Sequence, residues 1–168
     1  MPPHPTPPAY RILDAETPLR RPMTVSVHAF VPDDMQSRTV LATRTAKGRI
    51  ACIGGRYADG AVTATTRTTG DIFVAADTIP PRIRPLFSEG ADLGGARSIR
   101  FRVSDNFSGI ASCTLLIDGR WAPCDRFPMQ GTLVHAFDRP AAKKRRSVQL
   151  SVTDGCGNTA RWEGTFWR

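Results

Sequence analysis

Apolar and polar residues alternate with a period of two along most of this chain, and the three-to-four spacing of an amphipathic helix hardly occurs. Met23, Val25, Val27, Ala29 and Val31 fall on one side of an extended segment, with Thr24, Ser26 and His28 on the other. That is the pattern of a strand with one buried and one wet face. Further strands are predicted over 38–44, 49–53, 61–67 and 71–77. Gly48, Gly54-Gly55, Gly60 and Gly70 punctuate them as turn residues.

The run Asp77-Thr78-Ile79-Pro80-Pro81 interrupts the pattern. Two successive prolines donate no ladder hydrogen bonds and stiffen the chain, so 78–81 reads as a short linker. Beyond it, strands are predicted over 82–87, 98–104, 109–117, 120–124, 132–138, 147–153 and 159–167. Ile99, Phe101 and Val103, with Val148, Leu150 and Val152, form the expected core, closed by Trp162 and Phe166. About seven strands in this length suit an immunoglobulin-like sandwich. The expected fold is therefore all-β: two tandem β-sandwich domains at 10–77 and 82–168, the second immunoglobulin-like. Residues 1–9 are a lead-in expected to be extended and poorly ordered, since five of the first eight residues are proline.

Asp118-Gly119 predicts a tight hairpin, because a type I′ turn needs positive φ at both central residues. A two-residue turn there sets Cys113 opposite Cys124, where a cross-strand disulfide is geometrically open. The other reading of this pair is two small apolar residues facing one another. Cys52 and Cys156 fall in different predicted domains and read as buried thiols. Without metal-ligand spacing, the cysteines do not suggest zinc.

The chain has 168 residues, 40% hydrophobic and 23% charged, enough apolar content for small cores. Its formal charge of +8 attracts anionic polymers without choosing among them. Most basic residues are spread singly along strands. The one dense run, Lys143-Lys144-Arg145-Arg146, reads as a charged connection between strands and also as a candidate ligand contact. No segment has the roughly 20 apolar residues of a membrane helix, and the N-terminus has no apolar core of a secretory signal.

Candidate chemistry is sparse. Of three histidines, His4 lies in the lead-in, while His28 and His135 sit within strand patterns. There is no nucleophile elbow, phosphate loop or dinucleotide fingerprint. In an immunoglobulin-like topology the loops after Asp105 and Asp154 share one end, so Asp105, Asp154 and Asn158 could converge on calcium. Simple turn chemistry is the competing reading of the same residues. Trp121 and Trp167 are out of phase with the core and could offer a sugar-stacking surface, or pack at an edge contact. No cofactor is expected.

The segments Asp105-Asn106-Phe107-Ser108-Gly109-Ile110, Ile117-Asp118-Gly119-Arg120-Trp121 and Val152-Thr153-Asp154-Gly155-Cys156-Gly157-Asn158 follow a D-N-x-S-G-I, I-D-G-x-W, V-x-D-x-x-G-N series. With Pro32-Asp33-Asp34, Gly54-Gly55-Arg56, Asp59-Gly60 and Thr69-Gly70-Asp71, the series resembles the C-terminal, non-catalytic region of lysostaphin/LytM-type (M-twenty-three family) peptidoglycan metallopeptidases of Gram-negative bacteria. The resemblance runs from about Tyr10 to Arg168. It implies an extracytoplasmic setting, in the periplasm or at the cell surface, and a peptidase domain ahead of Met1 as partner. That family binds zinc through H-x-x-x-D and H-x-H motifs, and neither occurs here. The resemblance therefore implies a non-catalytic accessory module of a cell-envelope protein. The alternative is a stand-alone extracytoplasmic binding protein for an anionic or glycan ligand. Among anionic partners, nucleic acid fits least, because no recognised binding motif accompanies the charge.

Overall fold

Alternating segments broken by glycine and proline become sixteen strands in the computed structural model, which describes residues 8–15, 17–45, 47–138 and 143–168. His4 and most of the lead-in expected at 1–9 lie outside these residues. The chain divides into two compact units, Met1–Thr78 and Ile79–Arg168. No helix among the described residues is long and apolar enough to cross a membrane.

The first unit contains β1 (Tyr10–Ile12), β2 (Met23–His28), a single helical turn α1 (Asp33–Gln36), β3 (Thr39–Arg44), β4 (Ile50–Gly54), β5 (Arg56–Ala58), β6 (Ala61–Thr66) and β7 (Gly70–Ala76). One antiparallel sheet has the order β1-β7-β3-β4 and the other β2-β6-β5. Val25 and Val27 from β2, Leu41 from β3, Val62 and Ala64 from β6, and Ile72 from β7 bury between them. The alternation in β2 thus places its apolar side inward, with Ser26 and Thr63 joined by a 2.8 Å hydroxyl hydrogen bond on the wet side. At Gly54-Gly55 the chain leaves one sheet for the other. Gly55 has φ +109°, and a Cβ there would stand 2.7 Å from the Thr63 carbonyl oxygen, so this corner needs glycine.

The second unit contains β8 (Arg82–Pro85), β9 (Ala91–Asp92), β10 (Ser98–Ser104), β11 (Ile110–Ile117), β12 (Arg120–Ala122), β13 (Asp125–Phe127), a 3-10 turn at Pro128–Gln130, β14 (Thr132–Ala136), β15 (Arg145–Asp154) and β16 (Thr159–Trp167). The sheet orders are β13-β14-β10-β8 and β12-β11-β15-β16-β9, with β9 parallel to β16. In chain order these correspond to the A-B-E-D and G-F-C-C′ sheets of an immunoglobulin-like sandwich. The two strands beyond the expected seven, β9 and β13, are too short to show alternation.

All six predicted core residues on β10 and β15 are buried, together with Leu115, Leu133 and Phe166. Phe101 meets Phe87 and Trp162 edge-on, at ring-centroid distances of 5.6 and 5.4 Å. Antibody domains link the equivalent strands by a disulfide. Here the aromatic cluster around Phe101 fills that space.

Candidate functional site

The loops after β10 and β15 meet at one end of the second unit. The Gly155 N–H donates to the Gly109 carbonyl oxygen at 2.9 Å. Gly155 can approach so closely because it lacks a Cβ, which would lie 2.8 Å from the Ser108 carbonyl oxygen. Asp105 Oδ2 accepts the N–H groups of Phe107 and Gly109 at 2.9 and 2.8 Å, holding its loop in a tight turn. Asp154, only 2% exposed, accepts the Cys156 and Asn158 N–H groups on Oδ1 at 2.9 and 2.8 Å. Its Oδ2 accepts the Asn158 side-chain amide at 2.8 Å.

The structure thus brings Asp105, Asp154 and Asn158 to one place, with carboxylate oxygens of the two aspartates within 4.8 Å of each other. Asp105 Oδ1 is sequestered there with no hydrogen-bond partner among the described residues. Calcium takes about six to eight oxygen ligands. Here both Asp154 oxygens already accept N–H groups and Asn158 turns its nitrogen toward Asp154. Asp154 and Asn158 are thus engaged in the turn chemistry that was the competing reading of these residues.

The Asp118-Gly119 hairpin forms with the expected register, Leu115 opposite Ala122 and Ile117 opposite Arg120, and with φ of 51° and 74° at the two turn residues. The pairing stops at Ala122. After Pro123 the chain crosses to the opposite sheet, where β13 pairs with β14. Cys113 and Cys124 stand as half-buried thiols packed against the core. Burial pushes both thiols above their ordinary range, which disfavours the reactive thiolate at neutral pH.

The basic run is tied into its own unit. Lys143 pairs with Asp92, Lys144 with Asp118 at 3.5 Å, and Arg146 with Asp118 at 2.9 Å. Arg145 reaches Thr165 at 3.4 Å. Burial works to raise the Asp118 carboxyl, but the hydrogen bonds from Arg146 and the Ser147 N–H, with the Lys144 charge, outweigh it and hold the group below its ordinary value. The stability this gives is fully present above the unfolded carboxyl pKa of about 4 and is lost as pH falls through the lowered folded value. An Asp118→Asn variant is therefore expected to show a flatter fall of Tm on the acid side of about pH 4. A thermal-melt series against pH, run beside the parent chain, checks this.

Trp121 and Trp167 both lie on the outer face of the five-stranded sheet, 70% and 41% exposed. Register puts Trp121 in one row with Leu116, Gln149 and Glu163, and Trp167 in a row with Arg145. At standard strand spacings the two indoles are roughly 20 Å apart. They cannot share one sugar ring but lie within the span of an oligosaccharide. Leu116, the strand partner of Trp121, lines a shallow groove of 250 Å³ together with Thr114, Gln149, Ser151, Arg161 and Glu163. Of the histidines, His28 is on the exposed side of β2 opposite Ala61, and His135 Nδ1 lies 2.7 Å from the Pro123 carbonyl oxygen, its ring edge-on to Phe137.

The outer face of the four-stranded sheet was not singled out by sequence reasoning. Arg82 and Arg84 on β8 and Arg100 and Arg102 on β10 all point outward, with Arg84 directly opposite Arg102. The signal was an R-x-R pair in each strand. Only the inter-strand register turns two pairs into one patch.

Residues 6–77, nearly all of the first unit, are similar to the Zu5-like domain family. No curated protein matches the chain.

Proposed function

We propose that this chain is a non-catalytic accessory module of a cell-envelope protein, positioning a peptidoglycan metallopeptidase against its substrate. The observation that carries this reading is the pair of interlocked loops. The segments that resemble the peptidase tails, Asp105–Ile110 and Val152–Asn158, turn their carboxylates onto their own backbone N–H groups. In this reading these carboxylates hold the shape of the loops. The engagement of His135 with the Pro123 carbonyl supports the same view.

A second reading, a stand-alone extracytoplasmic protein for an anionic or glycan ligand, is favoured by one observation. Trp121 is the most exposed tryptophan, and its strand partner Leu116 lines a groove with hydroxyl, amide and charged side chains. An exposed indole next to fixed polar groups is the arrangement that stacks on a sugar ring and reads its hydroxyls.

One experiment addresses both. The purified chain is incubated with murein sacculi, with and without zinc, then sedimented. No soluble fragments are expected; zinc-dependent release would overturn the non-catalytic reading. Co-sedimentation is expected, and its loss by about tenfold in a Trp121→Ala variant assigns the contact to the Trp121 face. A chain that stays in the supernatant at all salt concentrations contradicts a wall-facing role.

A further inference from the structure

The outer face of the sheet β13-β14-β10-β8 carries charge that the fold does not use. Arg84 sits directly across from Arg102, and Arg82 across from Ser104. The Leu86 N–H donates to the Arg100 carbonyl oxygen, which places Leu86 beside Arg100. Like charges directly opposite on an antiparallel pair destabilise it. Among the described residues no carboxylate is ion-paired to any of the four arginines. Arg100 donates to Ser98 Oγ at 3.2 Å. Within the paired rows the single acid is Asp125, which is separated from Arg100 by Val134.

The same face is also apolar. The row through Arg84 and Arg102 continues through Thr132 to Phe127. Phe127 and Leu86 are 45% and 47% exposed, and Met129, in the turn that follows β13, is fully exposed. Four guanidiniums with the exposed Leu86 and Phe127, and Met129 in the adjoining turn, make a surface with two demands on its partner. It must supply phosphate or carboxylate oxygens, and an apolar layer close behind them.

We propose that this face docks the second unit on an anionic phospholipid surface. The guanidiniums of Arg82, Arg84, Arg100 and Arg102 lie among headgroup phosphates, and Leu86, Phe127 and Met129 enter the interfacial layer. Charge complementarity selects an anionic partner. The apolar side chains favour lipid over a soluble polyanion, which has nothing to bury Leu86 and Met129. The proposal goes beyond the accessory-module reading and uses a different face from Trp121.

The test is co-sedimentation of the full chain with vesicles of phosphatidylcholine alone and of phosphatidylcholine with phosphatidylglycerol. Binding is expected only to the second, weakening as salt rises. Arg84→Gln with Arg102→Gln should lower that affinity about thirtyfold, because each basic residue at an anionic surface contributes a factor of roughly five. Lys47→Gln with Arg49→Gln removes the same charge from the β3–β4 hairpin and should leave binding unchanged. Phe127→Ser with Met129→Ser should weaken binding while keeping its salt dependence. The Arg84→Gln/Arg102→Gln variant should melt no lower than the parent, since the substitution relieves repulsion, and this separates lost docking from lost folding. Equal loss in both arginine-containing variants would reduce the effect to net charge and overturn the proposal. So would binding to heparin or duplex DNA with none to anionic vesicles.

Discussion

An Asp154→Ala variant is expected to lose roughly 3–5 kcal/mol of stability in the second unit. The carboxylate is buried and accepts three N–H donors, two from the backbone of its own turn and one from Asn158. Removing it leaves those donors without an acceptor, and each buried donor so stranded costs about 1–3 kcal/mol. The loss is not a matter of volume. Asp154→Asn keeps the shape and one acceptor but loses the charge that strengthens the hydrogen bonds, so it should fall between the parent and the alanine variant. Urea unfolding followed by tryptophan fluorescence measures the order, since Trp162 lies in the core of the same unit. Equal midpoints for parent and alanine variant would mean that the two loops hold together without the carboxylate.

Phe101→Ala is expected to cost about 3–5 kcal/mol, by a different route. Phe101 is 1% exposed and packs edge-on against Phe87 and Trp162. Truncation removes its transfer free energy and leaves a cavity walled by two aromatic rings and by strands from both sheets, which cannot collapse independently. Phe101→Leu should recover more than half of the loss, because it refills most of the volume. Peptide-resolved hydrogen exchange provides the check. Protection should fall across β10, β15 and β16, whereas a loss confined to β10 would show that the core does not act as one cooperative layer.

Much of this fold was readable because strands such as β10 and the middle of β15 alternate cleanly. β10 and β16 span the predicted ranges, and the hairpin at Asp118-Gly119 falls in the predicted register, since a two-residue turn leaves one choice. Strands of two or three residues, β1, β5, β9 and β13, were missed because so short a segment has no period to detect. The expected alternation from Met23 to Val31 ends at His28, and α1 follows as a single turn too short to carry helical spacing. For the candidate sites the dividing line is similar. That Asp105 and Asp154 share an end followed from the topology, but which atoms accept which N–H groups did not. The Cys113–Cys124 geometry followed the hairpin only as far as Ala122, because Pro123 takes the chain to the other sheet. The basic run at 143–146 looked like a patch in one dimension, but in three it is distributed among Asp92, Asp118 and Thr165. The arginine face is the opposite case, scattered in sequence and gathered by register.

The shortness of the outer strands has a further consequence. In the second unit each sheet is bounded by strands of four residues or fewer: β8 and β13 on one, β9 and β12 on the other. β8 ends at a proline, and β12 is followed by one. Open backbone along a sheet margin is a template on which another chain can polymerise, and short or proline-interrupted margins deny it a run of partners. Many copies of such a unit can therefore crowd together with little tendency to zip into fibrils, and their encounters are left to side chains.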